Sequence, residues 1–151
     1  MKMHNIYVDG GTKRQREIAN KVISFCIKRL MPRARSIFVD CHLTKSMTDL
    51  GGCWLLDNNR SFGIELNTVS KTKEFIISLI HEMVHAKQYY TGELIEVLTK
   101  NKKGAIVNKI IWQGKDCTNI KYDNLPYELE AYHMQDNLYK EYKKYDKSNT
   151  I

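Results

Sequence analysis

Residues 81–85 read His-Glu-Met-Val-His and so carry the HExxH pattern. On a helix, His81 and His85 lie one turn apart, so both imidazoles can reach a single Zn²⁺ at ~2.0 to 2.1 Å. Glu82 then projects its carboxylate beside the metal, where it can accept a proton from a water molecule. The spacing is typical of a chelate, and it predicts a zinc site with Glu82 as the general base.

The residues around this motif predict a helix from about Thr72 to Tyr90, with Ser70 as its N-cap. Apolar side chains cover a little over half of its circumference. The remaining positions form one polar stripe, made of Ser78, His81, Glu82, His85, Gln88 and Tyr89. We expect this stripe to line an internal cleft, because an exposed stripe is usually rich in Lys and Glu instead.

A catalytic zinc ion needs a third protein ligand and an open position for water. The chain has no histidine between His85 and His133, so a carboxylate is the better candidate. A third helix is predicted to begin at Pro126, and its apolar periodicity places Glu128 beside the buried stripe and Glu130 towards solvent. Glu128 is therefore the predicted ligand, with Glu130 and His133 as alternatives.

The composition indicates one domain over residues 1–151, since 42% of the 151 residues are hydrophobic and 27% are charged. A chain of this length can fold around its core alone, so a metal site is interpreted as functional before structural. The absence of a long apolar run and of a signal-peptide pattern predicts a cytoplasmic protein without a membrane partner.

The four cysteines have no paired spacing, which predicts free thiols in a reducing compartment: Cys26, Cys41, Cys53 and Cys117. Cys41 and His42 form the one rival to the metal cluster described above.

Basic residues are concentrated near the N-terminus, where residues 13–35 hold eight of them against one acid, Glu17. The chain as a whole has a net charge of +7. Four of these residues lie opposite the apolar face of the predicted first helix: Lys13, Arg14, Lys21 and Lys28. Such a face can contact DNA phosphates, but most lysine-rich helix faces are only solvated.

The predicted fold class is α+β, with one zincin-like domain. A first helix begins at a capping box of Thr12 and Gln15 and ends before Pro32. A small antiparallel sheet, the motif helix, a hairpin and the C-terminal helix follow. The predicted strands span residues 36–43, 53–56 and 62–66 in the sheet, and residues 106–112 and 118–122 in the hairpin.

The motif and the Pro-x-Glu-x-Glu-Ala segment that starts at Pro126 together resemble the SprT-like zincin metallopeptidases, especially their compact phage versions. The resemblance spans residues 62–138. The glutamate segment is also similar to that of gluzincins and ImmA/IrrE peptidases, whose first glutamate binds zinc, which supports Glu128. The chain lacks two SprT-like features, a histidine ligand soon after the motif and a C-terminal four-cysteine zinc ribbon.

The resemblance implies an endopeptidase that hydrolyses peptide bonds of a protein substrate, with zinc held by His81, His85 and Glu128. The strand at residues 62–66 is expected to form the edge of the cleft, as in zincins. A DNA-binding or phage accessory module with a structural zinc is the alternative, and a peptidase that cuts a repressor is a third possibility. The intact Glu82 favours an enzyme, because a structural zinc site gains nothing from that carboxylate.

A tetrahedral oxyanion needs a hydrogen-bond donor in addition to zinc. Tyr132 is the candidate by its helical phase next to Glu128, and Tyr89 and Tyr139 are weaker ones.

Overall fold

The computed structural model describes residues 2–45 and 49–148, which form an α+β fold of three helices and two sheets. The helices are α1 (Lys13–Leu30), α2 (Thr72–Thr91) and α3 (Pro126–Ser148). The strands are β1 (Asn5–Gly10), β2 (Phe38–Thr44), β3 (Gly51–Leu55), β4 (Ser61–Asn67), β5 (Leu94–Lys100), β6 (Ile106–Trp112) and β7 (Lys115–Asp116). The predicted α+β class is confirmed.

The larger sheet has the strand order β1-β2-β4-β3 and is mixed, not antiparallel as predicted. β1, β2 and β4 run parallel, while β3 runs antiparallel to β4. The prediction omitted β1, in which only Ile6 and Val8 are partly buried against the core. With β1 in place, α1 becomes a crossover between two parallel strands, and a parallel pair requires such a connection.

β4 lies inside this sheet, hydrogen-bonded to β2 on one side and to β3 on the other. It therefore offers no free edge, and the prediction that residues 62–66 form the edge of the cleft is wrong. β3 is the edge strand on this side of the sheet.

The predicted start of α1 is confirmed, because Thr12 and Gln15 form a capping box. The Thr12 Oγ1 accepts from the backbone N–H of Gln15 at 3.1 Å, and the backbone N–H of Thr12 donates to Gln15 Oε1 at 2.9 Å. Two otherwise unpaired backbone groups at the helix terminus are satisfied in this way. The helix then buries one face against α2 and the sheet.

The motif helix α2 begins at Thr72 as predicted, but its N-cap is Lys71 and makes no side-chain hydrogen bond, so Ser70 is not the cap. It ends at Thr91, and its C-cap is Gly92, whose left-handed φ of 78° suits a residue without a side chain. Leu79, Ile80 and Met83 are fully buried, as expected for a helix whose apolar arc is this wide.

The smaller sheet has the order β5-β6-β7 and follows α2. The first arm of the predicted hairpin is confirmed as β6, but its long partner is β5, which the sequence prediction missed. Residues 118–122 form no strand, and β7 pairs with β6 over two residues only. No helix within residues 2–45 and 49–148 is long and apolar enough to cross a membrane.

We expect Thr12→Ala to lower the free energy of unfolding by about 1 kcal/mol, because the Gln15 amide loses its acceptor. Thr12→Ser keeps the hydroxyl and should lose much less. Urea denaturation of both variants followed by circular dichroism measures the difference. Equal stability of Thr12→Ala and the wild type would show that the capping box contributes nothing.

Candidate metal centre

Three side chains on two helices place their donor atoms around one point. Glu128 Oε1 lies 2.9 Å from His81 Nε2 and 3.0 Å from His85 Nε2, and the two imidazole nitrogens are 3.2 Å apart. Within the described residues, this is the group of three or more His, Cys, Asp or Glu side chains whose atoms converge enough to hold a metal ion. The structure therefore brings together the three predicted ligands.

The positions of these atoms follow from the two helices that carry them. His81 and His85 are successive residues on one face of α2, and their rings meet nearly edge to face, with centroids 4.9 Å apart. Glu128 lies in the first turn of α3, where a negative side chain is also favoured by the helix dipole. Packing of α3 against α2 brings this first turn over the two imidazoles.

The three separations fit a metal ion with short bonds. Ligand atoms at ~2.0 to 2.1 Å from a tetrahedral zinc ion lie about 3.3 to 3.4 Å from each other. The observed separations of 2.9, 3.0 and 3.2 Å are only slightly smaller, so a small outward movement accommodates the ion. Two imidazole nitrogens and one carboxylate oxygen are also a donor set that zinc accepts.

The electrostatics of the cluster favour positive charge at its centre. Burial raises the pKa of Glu128, but the hydrogen bonds with His81 and His85 and their charges outweigh it and lower that pKa to about 2. Burial has the opposite effect on His85 and lowers its pKa. The Glu128 carboxylate outweighs this effect, so the pKa of His85 lies above its ordinary value. A carboxylate that favours a proton on the neighbouring His85 imidazole attracts a divalent cation for the same reason.

The outer nitrogens of both imidazoles have amide partners. His81 Nδ1 lies 2.9 Å from Gln135 Oε1, and His85 Nδ1 lies 2.8 Å from Gln88 Oε1. An amide oxygen only accepts, so each Nδ1 is the donor, which leaves Nε2 for the centre of the cluster. Metal-binding histidines in proteins are commonly oriented in this way.

Glu82 lies next to the cluster with an unsatisfied carboxylate oxygen. Its side chain is 5% exposed, and Oε2 has no hydrogen-bond partner among the described residues. Burial raises the pKa of Glu82, and the nearby imidazoles of His85 and His81 oppose this by less. Gly51 packs against this side chain, since a Cβ at position 51 would lie 3.3 Å from Glu82 Cγ. A buried carboxylate oxygen without a protein partner is normally hydrogen-bonded to a water molecule or to a bound substrate group.

The cluster opens into a cleft of about 780 Å³, a volume typical of small-ligand and active sites. One wall is the edge strand β3, through Gly51, Gly52 and Cys53. Three tyrosines also line the cleft: Tyr122, Tyr127 and Tyr132. The prediction that the polar stripe of α2 lines an internal cleft is confirmed for five of its six residues, namely Ser78, His81, Glu82, His85 and Tyr89. Gln88 is the exception, because it is fully buried and is not part of the lining.

The alternative ligands lie elsewhere. His133 is exposed on α3. Glu130 is half-buried, not directed to solvent as expected, and accepts a hydrogen bond from Gln88 Nε2 at 3.1 Å. Cys41 is buried while His42 is exposed on the other face of β2, so the rival cluster does not form. All four cysteines are free thiols, as predicted.

The predicted oxyanion donor Tyr132 does border the cleft, with its ring centroid 4.6 Å from that of His81. Its hydroxyl lies 3.1 Å from the hydroxyl of Tyr122, which in turn donates to Glu128 Oε1 at 3.4 Å. Tyr89 donates to Glu96 instead, and Tyr139 packs beneath the Lys73 ammonium. Tyr122 was missed because the sequence prediction placed it at the end of a hairpin strand, whereas it begins a short 3₁₀ helix (Tyr122–Asn124) just before α3.

The four basic residues proposed for DNA contact are exposed on α1, namely Lys13, Arg14, Lys21 and Lys28. Two of them face α3, because Lys21 pairs with Asp146 at 3.7 Å and Lys28 lies over the Tyr145 ring. DNA contact stays a prediction.

Comparison of the chain with family models, curated proteins and solved structures finds no match. The geometry of the cluster and its cleft therefore carries the functional assignment.

We expect Glu128→Ala to weaken Zn²⁺ binding by more than about 100-fold, since losing even an outer partner of a ligand costs ~10- to 100-fold. Glu130→Ala should weaken it less, because Glu130 contacts no donor atom of the cluster directly. His133→Ala is the matched control on the exposed face of α3 and should bind as the wild type does. Chelator competition titrations rank the three. A greater loss in Glu130→Ala than in Glu128→Ala would move the ligand to position 130.

Proposed function

We propose that this chain is a zinc-dependent endopeptidase, similar to the SprT-like zincins, that hydrolyses peptide bonds of a protein substrate. The observation that supports it most is the convergence of His81, His85 and Glu128 beside Glu82, whose buried Oε2 has no hydrogen-bond partner among the described residues. A structural zinc site normally uses four protein ligands and excludes water. Three ligands at the border of an open cleft suit a catalytic site instead.

His81, His85 and Glu128 would hold the zinc ion. When bound there, Zn²⁺ lowers the pKa of water towards about 7 and polarises a substrate carbonyl. Glu82 is the general base that takes the proton from the attacking water and passes it to the leaving amine. Its buried position raises its pKa, and a base with a raised pKa is better matched to proton transfer near neutral pH.

The edge strand β3 supports an extended peptide as the substrate. Its outer side is unpaired in the described part of the sheet, and it borders the cleft. A peptide can add to such an edge through main-chain hydrogen bonds. Gly52 leaves the backbone accessible, because a Cβ at this position would meet only Trp54, at 3.9 Å.

The charges of the cleft favour a peptide over a phosphodiester. Asp49 and Glu74 border it, in addition to Glu82 and Glu128, and no Lys or Arg of the described residues does. A nucleic-acid backbone in this cleft would meet like charge without a cationic side chain to offset it. The basic surface of α1 lies apart from the described lining of the cleft, so any DNA contact there would serve docking, not the hydrolysis step.

The hydroxyls of Tyr132 and Tyr122 supply the donor that an oxyanion needs. They lie within hydrogen-bond distance of each other at the cleft, next to the ligands His81 and Glu128. Either hydroxyl can donate a hydrogen bond to a developing negative charge, since a phenolic O–H is both a donor and an acceptor.

Glu82→Gln should keep the zinc ion and the fold but lower kcat by about 10²-fold or more, because an amide does not accept the proton of the attacking water. Glu17→Gln, on the exposed side of α1, is the matched control and should retain full activity. Hydrolysis of quenched fluorescent casein by zinc-loaded protein measures kcat, and metal analysis of the same samples measures occupancy. Wild-type turnover in Glu82→Gln would exclude Glu82 as the base and contradict the peptidase assignment.

A further inference from the structure

Gln88 is a fully buried amide one turn beyond the metal-binding motif, with 0% of its side chain exposed. Its oxygen lies 2.8 Å from His85 Nδ1. Its nitrogen donates to the Tyr127 carbonyl at 3.0 Å and to Glu130 Oε1 at 3.1 Å. One side chain of α2 is therefore bonded to a ligand on its own helix and to the first turn of α3.

These partners fix which way the amide of Gln88 faces. The Tyr127 carbonyl can only accept a hydrogen bond, so the NH₂ group must point to α3. The oxygen of the same amide must then face His85. Because that oxygen also only accepts, the proton of the His85 ring is placed on Nδ1, and the lone pair of Nε2 is directed to the cluster.

The two groups that hold the NH₂ of Gln88 flank the third ligand in the sequence. Tyr127 comes directly before Glu128, and Glu130 follows it by two residues. Lys87 lies 3.9 Å from the Glu130 carboxylate, which therefore has a positively charged neighbour. The same Lys87 ammonium also donates to Glu93. A shift of this turn would move Glu128 away from His85.

We propose that Gln88 is a positioning residue for the metal centre. It holds His85 in the Nδ1-protonated tautomer and ties α2 to the turn that carries Glu128. Glu130 acts through Gln88 and is not a ligand. This inference rests on the proposed function, since it requires that the cluster binds zinc.

Gln88→Leu removes all three hydrogen bonds and fills the same space in the core with an apolar side chain of similar size. We expect Zn²⁺ affinity to fall by about 10- to 100-fold, as for loss of other outer partners of metal ligands. Ile27→Val is the control for a loss of packing alone, because Ile27 is buried in α1. It should lower the melting temperature of the metal-free protein without changing Zn²⁺ affinity. Chelator competition and thermal melts of all three proteins give both quantities.

A paired exchange tests the hydrogen bonds themselves. Gln88→Glu places two carboxylates against each other and should weaken Zn²⁺ binding. Adding Glu130→Gln restores an amide donor opposite the new carboxylate, which still accepts from His85 Nδ1. The double variant should therefore bind Zn²⁺ about tenfold more tightly than Gln88→Glu alone. Wild-type affinity in Gln88→Leu, or no recovery in the double variant, would overturn the proposal.

The tautomer can be read in the wild-type protein. In the zinc-loaded protein, ¹⁵N histidine spectra should show the His85 proton on Nδ1 and the metal on Nε2; the reverse assignment would contradict the proposal. Zinc binding and casein hydrolysis by the wild-type protein separate the proposed function from the role of Gln88. A wild-type protein that binds no Zn²⁺ removes the proposed function and this inference together, whereas one that binds Zn²⁺ and cleaves casein, with unchanged affinity in the Gln88 variants, removes this inference alone.

Discussion

The site depends on three electron-pair donors that the packing of α2 against α3 forces to within 2.9 to 3.2 Å of one another. Two imidazole nitrogens and a carboxylate oxygen repel at that distance unless positive charge lies between them. The Glu128 carboxylate raises the pKa of His85 for this reason, since a proton on that imidazole would supply part of the charge. A divalent cation supplies this charge fully. Because its binding relieves the repulsion between the donor atoms, that relief adds to the affinity for the ion.

The fold keeps this arrangement rigid by surrounding it with apolar contacts. Met83 lies between the two histidines in the sequence and is fully buried, as is Leu79 one turn earlier. From α3, Tyr127 and Ala131 pack into the same core. Since core packing tolerates little displacement, the donor atoms have few alternative positions. The edge strand β3 then closes one side of the cleft and leaves its unpaired backbone beside Glu82.

The parts of the site that follow from helical periodicity were predictable from the sequence. His81 and His85 are fixed by their own helix, and Glu128 by its phase on the next one. Gln88 was predicted only as part of the polar stripe, and Glu130 only as an alternative ligand, because the contacts that define both residues arise only when α2 and α3 meet. The larger sheet was misjudged for a related reason: β1 is short and half-exposed, and parallel pairing through α1 is decided by tertiary contacts that local propensity does not encode.

Crystals of the zinc-loaded protein, with diffraction recorded on both sides of the zinc absorption edge, would show directly whether the ion lies between His81, His85 and Glu128. Anomalous difference maps locate each zinc ion independently of the protein coordinates. We predict one strong peak, bonded to His81 Nε2, His85 Nε2 and a Glu128 oxygen at ~2.0 to 2.2 Å, with its remaining position open to the cleft. A fully occupied peak elsewhere, or none between these three side chains, would contradict the account.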